Sequence, residues 1–199
     1  ADGTKLLSIR ENNLYPSSVS CSQYTGTYLA SLGHSTIYHI SEHGEINQIV
    51  NSSDIGGQKP VQMAVNVNVG EIVAVFVDDV NCQSCAPKLL RTSLDGSKIA
   101  IVDLYQLSNR AMNNAYAIAF DYRTYYISEP YTGVVWLFSQ QSLTVVAQDP
   151  RLGNANTFGI KSMRYTNGKL IAGTSDGKVY RIGLNRVDLI QIDGSMNLD

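Results

Sequence analysis

Short stretches of alternating apolar and polar residues recur along the whole chain, separated by turns rich in glycine, asparagine, aspartate and serine. A period of two residues is typical of β-strands that bury one face, and no long stretch has the helical period. The stretches fall into four groups of four. Equivalent positions Val19, Met63, Ala117 and Ser162 are spaced by 44, 54 and 45 residues. The pattern therefore predicts sixteen strands in four similar units.

A longer phrase repeats within these units. The stretch Gly26–Ser41 returns as Gly168–Gly183, and a third version occupies Arg123–Ser139. Each copy has the pattern of a strand, a tight polar turn and a second strand. A four-stranded unit repeated every 40 to 55 residues or so indicates a β-propeller. The predicted fold is all-β, a β-propeller whose four-stranded antiparallel blades cover about 14–50, 60–103, 114–148 and 158–192.

The two ends of the chain do not fit into the four units. Thr4–Ile9 has the pattern of an additional strand, and Ile192–Asp199 resembles the approach to a fifth unit. Either four blades close with an extra N-terminal strand in one domain over residues 1–199, or the chain is part of a longer ring. An open arc of blades would expose blade faces and sheet edges, and it would then need a partner or self-association.

The composition is that of a folded globular protein, with 44% hydrophobic and 16% charged residues. The net charge is −2 and the 15 Lys and Arg residues are scattered along the sequence, so no basic stripe for nucleic acid is evident. The longest apolar run, Glu71–Val77, has the length of a strand and not the roughly 18 residues of a membrane span. We expect a small molecule or a protein as partner, no nucleic acid and no membrane span.

The three cysteines leave at least one thiol unpaired within the chain. Cys21 lies in a predicted strand, where we expect a small buried thiol. Cys82 and Cys85 form a C-x-x-C motif in a polar loop, which is compatible with a local disulfide, two free thiols, or metal or redox chemistry. A disulfide would imply an oxidising compartment, and a glycosylation sequon at Asn51 favours the same extracellular location.

Four stretches resemble the regucalcin, gluconolactonase and strictosidine-synthase-like propellers: Tyr15–Ser20, Leu29–Tyr38, Phe158–Tyr165 and Gly173–Ile182. The resemblance extends over all four units. It implies a ring of six blades, of which this chain would be about two-thirds. It also implies a divalent cation, often calcium, held at the centre of one face by a Glu, an Asn and an Asp near the beginnings of innermost strands.

The positions that the resemblance assigns to metal ligands carry other residues here. Ser17 or Ser18 stands where the family has Glu, and Lys161 stands where it has Asn or Asp. Tyr116 stands where Asn is expected, with Asn113 and Asn114 slightly upstream. A lysine ammonium that points at the cation site would replace the cation and not bind it. The family's metal site is therefore predicted to be missing.

The same face is predicted to receive other polar side chains, from the loops between second and third strands and from the starts of the first strands. The loops bring His34, Asp78, Asp79, Glu129 and Asp176, and the strand starts bring Ser18, Gln62, Tyr116 and Lys161.

Each candidate on this face has two interpretations. Asp78, Asp79 and Glu129 could form a carboxylate cluster for a calcium or other divalent cation or for acid–base catalysis, or they could be acidic turn residues in water. His34 could be a general base or a turn residue that caps its hairpin. Ser17 or Ser18 could form a hydrolytic triad with His34 and Asp176, but no nucleophile elbow supports it.

Three hypotheses about function follow. The first is a non-enzymatic or enzymatically degenerate propeller that binds a small molecule or a protein on its mixed polar face. The second is a lactone or ester hydrolase with a displaced cation site. The third is a structural module that assembles with copies of itself, and the fold alone does not choose among the three.

Overall fold

The computed structural model describes residues 15–22, 25–78, 86–184 and 186–190, and it confirms the predicted fold class. The described residues form sixteen strands in four four-stranded antiparallel sheets, the blades of a β-propeller fold. Blade 1 has β1 (Pro16–Ser22), β2 (Gly26–Ser31), β3 (Thr36–Ile40) and β4 (Ile46–Val50). Blade 2 has β5 (Lys59–Asn66), β6 (Glu71–Val77), β7 (Lys88–Ser93) and β8 (Ile99–Asp103).

Blades 3 and 4 have the same four-stranded build. Blade 3 has β9 (Ile118–Asp121), β10 (Thr124–Glu129), β11 (Val134–Ser139) and β12 (Ser142–Gln148). Blade 4 has β13 (Ile160–Thr166), β14 (Lys169–Thr174), β15 (Val179–Gly183) and β16 (Arg186–Leu189). Along the chain, a four-residue helix, α1 (Leu104–Leu107), follows β8, and a 3₁₀ turn (Pro150–Leu152) follows β12. No helix among the described residues has the length and apolar character needed to cross a membrane.

Within every blade the strands pair in chain order, so each neighbouring pair is a hairpin. The turn before the second strand needs a positive φ in each case. Gly26 supplies it in blade 1 at φ 87°, where a Cβ would lie 2.6 Å from the carbonyl oxygen of Ile40. Blade 3 places Tyr122 in the equivalent turn at φ 51°, although a residue with a side chain adopts this conformation less readily. The turn geometry is thus kept even where glycine is not.

The chain divides into two compact units, and the first contains blades 1 and 2. Its core lies where one face of blade 1 meets blade 2. Alternate residues of β2 and β3 point into this core, because successive side chains of a strand point to opposite faces. The buried core residues are Tyr28, Ala30, Ile37, Val50, Ile55, Met63, Ile72, Ala74, Phe76 and Leu90.

The second unit contains blades 3 and 4 and has its own core. Small residues of blade 3 pack against larger residues of blade 4, which lets the two sheets approach closely. The buried core residues are Ala117, Ala119, Val135, Ala147, Leu152, Ile160, Leu170, Ala172, Tyr180 and Ile182.

Two details differ from the sequence-based expectations. Cys21 is exposed and not buried, because β1 directs it to the blade face opposite the core residues Tyr28 and Ala30. The first strand of blade 3 begins at Ile118 and not at Tyr116. The predicted strand Thr4–Ile9, the segment 191–199, Asp79 and the pair Cys82 and Cys85 lie outside the described residues.

Candidate functional site

Two predicted face residues of the second unit, Tyr116 and Lys161, come together around an aromatic side chain. The ring of Phe158 contacts Tyr116 edge-on, with centroids 4.8 Å apart, and Tyr131 edge-on at 5.3 Å. The Lys161 ammonium lies 3.8 Å from the Phe158 centroid and 5.2 Å from that of Tyr116. We call Tyr116, Tyr131, Phe158 and Lys161 the Phe158 cluster. It presents a cation held against aromatic rings, an arrangement favoured by the ring quadrupole.

Backbone hydrogen bonds position these side chains. The amide of Tyr116 donates to the Ser128 carbonyl at 3.0 Å, which holds the segment before β9 against β10. Lys161 lies at an irregularity in the pairing of β13 with β14. The carbonyl of Phe158 accepts from the Ser175 hydroxyl, and the amide of Gly159 donates to the Pro130 carbonyl at 2.9 Å. The cluster is therefore built on fixed backbone.

A cleft of about 200 Å³ opens beside the cluster in the same unit, and Phe158 belongs to its wall. Roughly 300–1,000 Å³ is usual for pockets that enclose drug-sized ligands, so this cleft suits a smaller molecule. Its wall also includes Arg151, Asn154, Asp176, Lys178 and Tyr180.

The charged side chains that line the cleft are Arg151, Asp176 and Lys178, and each of them is in an ion pair. Asp176 accepts from Lys178 Nζ at 2.6 Å and from the Thr174 hydroxyl at 2.5 Å, and the hydrogen bond from Lys178 is the main cause that lowers the pKa of Asp176 to about 2. Arg151 binds both carboxylate oxygens of Asp149, and its guanidinium lies 5.8 Å from the Tyr180 ring centroid. Asp176 is thus an ionised acceptor at neutral pH, and the cleft carries both signs of charge.

Glu129 does not project into water, so the solvated interpretation is wrong for this residue. Its side chain is only 2% exposed. One carboxylate oxygen accepts from the backbone amide of Asn113 at 3.0 Å and the other from Trp136 Nε1 at 3.2 Å. Burial raises the pKa of Glu129, while the hydrogen bonds from Asn113 and Trp136 act in the opposite direction. The carboxylate joins the segment before β9 to β11, and Glu129 lies two residues before Tyr131 of the Phe158 cluster in the sequence.

The ionisation of Glu129 should be visible in the fluorescence of Trp136, the single tryptophan of the chain. Because the pKa is raised on folding, the folded chain holds this proton more tightly than the unfolded chain. The resulting stabilisation is complete below the ordinary pKa of glutamate and is lost as the pH rises through the raised value. We expect Trp136 emission to change over that range, and Glu129→Gln to abolish the change. If the emission of the Glu129→Gln variant changes with pH as before, the fluorescence change belongs to another titrating group.

In the first unit, the predicted site residues make contacts within their own blades or between blades 1 and 2. The Ser17 hydroxyl donates to the Pro60 carbonyl at 2.6 Å, and the Ser18 hydroxyl accepts from the Met63 amide at 3.2 Å. Nδ1 of His34 lies 2.7 Å from the Tyr38 hydroxyl in the same hairpin, as expected of a turn histidine.

The remaining candidates of the first unit lie on or beside blade 2. Asp78 accepts from Gln58 Nε2 at 2.9 Å. Gln62 is half-buried on β5, where it pairs with Val75 of β6. Among the described residues, no three His, Cys, Asp or Glu side chains form a group that could hold a metal ion. Asn51 is exposed in the turn that follows β4, which is the setting a glycosylated asparagine requires.

Sequence reasoning missed the residues that complete the cluster and the cleft. Tyr131 and Phe158 lie just outside strands, in loops whose path the alternating pattern does not specify. Arg151 and Asn154 belong to the segment between blades 3 and 4. The available signal was closeness in sequence, since Phe158 lies three residues before Lys161 and Tyr131 lies two residues after Glu129.

No protein-family model matches the chain, and no curated protein matches it. Solved structures do match. A nidogen/laminin complex has 13% identity and a TM-score of 0.67 over 90% of this chain and 66% of that chain. A streptogramin B lyase has 11% identity and a TM-score of 0.70 over 94% and 58%. A virginiamycin B lyase from Staphylococcus aureus has 13% identity and a TM-score of 0.55 over 92% and 72%.

The chain spans less than two-thirds of the length of the first two of these structures. At such low identity the likeness shows the fold alone, and the same fold can carry unrelated functions. It supports the β-propeller fold and does not single out the regucalcin and gluconolactonase group.

Proposed function

We propose that this protein is a binding scaffold whose second unit takes a small molecule with a flat apolar part and a negatively charged group. The observation that carries the proposal is the Lys161 ammonium held 3.8 Å from the centroid of a half-buried phenylalanine. The rings of Tyr116 and Tyr131 flank Phe158, so a flat ligand would find aromatic surface and a cation in one place.

The adjoining cleft supports the same interpretation. It offers polar groups of both signs and the hydroxyl and amide side chains of Thr174 and Asn154, which can orient a ligand by hydrogen bonds. Small-molecule sites commonly combine an apolar wall with a few such polar groups. Phe158 belongs to both the cluster and the cleft, so one ligand could contact both.

The preference for an anion can be tested with matched aromatic probes. We expect phenylacetate to bind more tightly than the neutral phenylacetamide, measured by ligand-observed NMR titration. Lys161→Met keeps much of the apolar stem and removes the charge, so it should weaken phenylacetate binding about 5- to 10-fold and abolish the preference. Lys98→Met removes an exposed lysine of the first unit and should leave both affinities unchanged.

Two results would contradict the proposal. One is the absence of binding of either probe to the unmodified chain. The other is a Lys161→Met variant that still prefers phenylacetate, because the cluster would then not be the site.

We also propose that the chain is a divergent relative of the gluconolactonase-like propellers. In that interpretation, Ser18, Tyr116 and Lys161 stand where the family has metal ligands, and Tyr116 and Lys161 have become part of a binding surface in the second unit. Calcium-dependent hydrolysis of a lactone by the purified chain, above a denatured control, would favour the alternative of a displaced cation site.

A further inference from the structure

The two faces of blade 4 have opposite character. One face carries the core residues Leu170, Ala172, Tyr180 and Ile182. Residues that alternate with these, and their cross-strand partners, must point to the other face. The register gives that second face as Ser162, Arg164, Thr166, Lys169, Ile171, Gly173, Val179, Arg181, Gly183, Arg186 and Asp188. We call it the outer face of blade 4.

The outer face of blade 4 collects positive charge. Arg164, Lys169, Arg181 and Arg186 are all exposed. Arg181 and Arg186 share the carboxylate of Asp188, each at 2.9 Å. Four cations against one carboxylate leave a net charge of +3 on this face, whereas the whole chain has −2. Charges that are scattered in sequence are thus concentrated by the strand register.

The cations are arranged in a regular way. Arg164 and Arg181 lie in one cross-strand row, on β13 and β15, with Ile171 of β14 between them. Strands are spaced about 4.8 Å apart, so the backbone positions of the two arginines are separated by about 10 Å. Gly173 and Val179 occupy the next row, where the short side chains leave the backbone of the sheet accessible to a bound segment.

We propose that the outer face of blade 4 binds an acidic polypeptide segment in which apolar residues separate the carboxylates. Three of the four cations are arginines, which bind carboxylates in a bidentate manner. Ile171 and Val179 between and beside them offer apolar contact that a purely polar polyanion would not use. The proposal uses none of the residues of the Phe158 cluster and does not rest on the proposed function.

The test uses the full chain and a fluorescein-labelled peptide of alternating glutamate and valine, with binding followed by fluorescence anisotropy. We expect binding that weakens as salt is raised, and none to a peptide of alternating lysine and valine. The variant Arg164→Glu/Arg181→Glu should bind roughly tenfold or more weakly. Lys59→Glu/Lys98→Glu changes the net charge by the same amount at exposed sites of the first unit, and it should lose less than about twofold.

Circular dichroism must show that both charge-reversal variants are folded. If the arginine pair does not fold when reversed, Arg164→Gln/Arg181→Gln and the matched Lys59→Gln/Lys98→Gln give the same comparison. Equal losses in the two pairs would overturn the proposal, because binding would then follow net charge. Failure of the acidic peptide to bind would overturn it, as would tighter binding of heparin or a DNA duplex that depends on the same arginines.

Discussion

Replacing Gly159 with alanine should lower the free energy of unfolding by about 3–5 kcal/mol, or prevent folding of the second unit altogether. A Cβ at this position would lie 2.5 Å from the Cα of Gly153 and even closer to the carbonyl oxygen of Leu152. The neighbours are backbone atoms and cannot turn aside as a flexible side chain would. Gly159 also donates to the Pro130 carbonyl and accepts from the Ser175 amide, so any shift breaks these bonds.

Gly183→Ala is the matched control for this prediction. Gly183 lies at the end of β15, its φ is not positive, and a Cβ there would meet no atom within 4 Å. We expect a change of no more than about 0.5 kcal/mol in urea unfolding followed by circular dichroism. Similar losses in the two variants would mean that the close approach around Gly159 is not what stabilises the unit.

The second large effect should come from Glu129→Ala, with a loss of about 3 kcal/mol. The substitution leaves the backbone amide of Asn113 and Trp136 Nε1 without their acceptor. Trp136 is buried and Asn113 is half-buried, so water cannot fully replace the lost bonds. It also empties the volume of the carboxylate. Glu129→Gln fills that volume and keeps one acceptor oxygen, so it should lose less, about 1–2 kcal/mol.

Glu45→Ala serves as the control, because Glu45 is an exposed glutamate of the first unit. It should change stability by less than about 0.5 kcal/mol. Unfolding should be followed by circular dichroism, since the emission of Trp136 depends directly on Glu129. Comparable values for Glu129→Ala and Glu45→Ala would show that the buried hydrogen bonds contribute little.

The fold was predictable because its signals are local. Alternation identified the strands, and Gly26, Gly70 and Gly168 marked turns that need a positive φ. The start of β9 was predicted two residues too early, at Tyr116 and not at Ile118, because tyrosine is common in β-strands. The amide of Tyr116, however, bonds to the Ser128 carbonyl ahead of the ladder proper.

The sites were less predictable because they depend on register and burial. Lys161 could be placed at a strand start, but its contact with Phe158 depends on the path of a loop. The cations Arg164, Lys169 and Arg181 share a face only because β13, β14 and β15 pair in one particular register, and a shift by one residue would separate them. The burial of Glu129 could not be predicted for a similar reason, since its hydrogen-bond donors, Asn113 and Trp136, lie 16 and 7 residues away in sequence.

The pairing of strands in chain order has a consequence for how the protein acquires its structure. Among the described strands, every ladder joins segments that are neighbours in sequence, and the four strands of blade 1 are complete at Val50. Little chain entropy is lost in closing such short loops, so each sheet can form without waiting for distant partners. During synthesis on the ribosome, the blades could therefore form one after another from the N-terminal side.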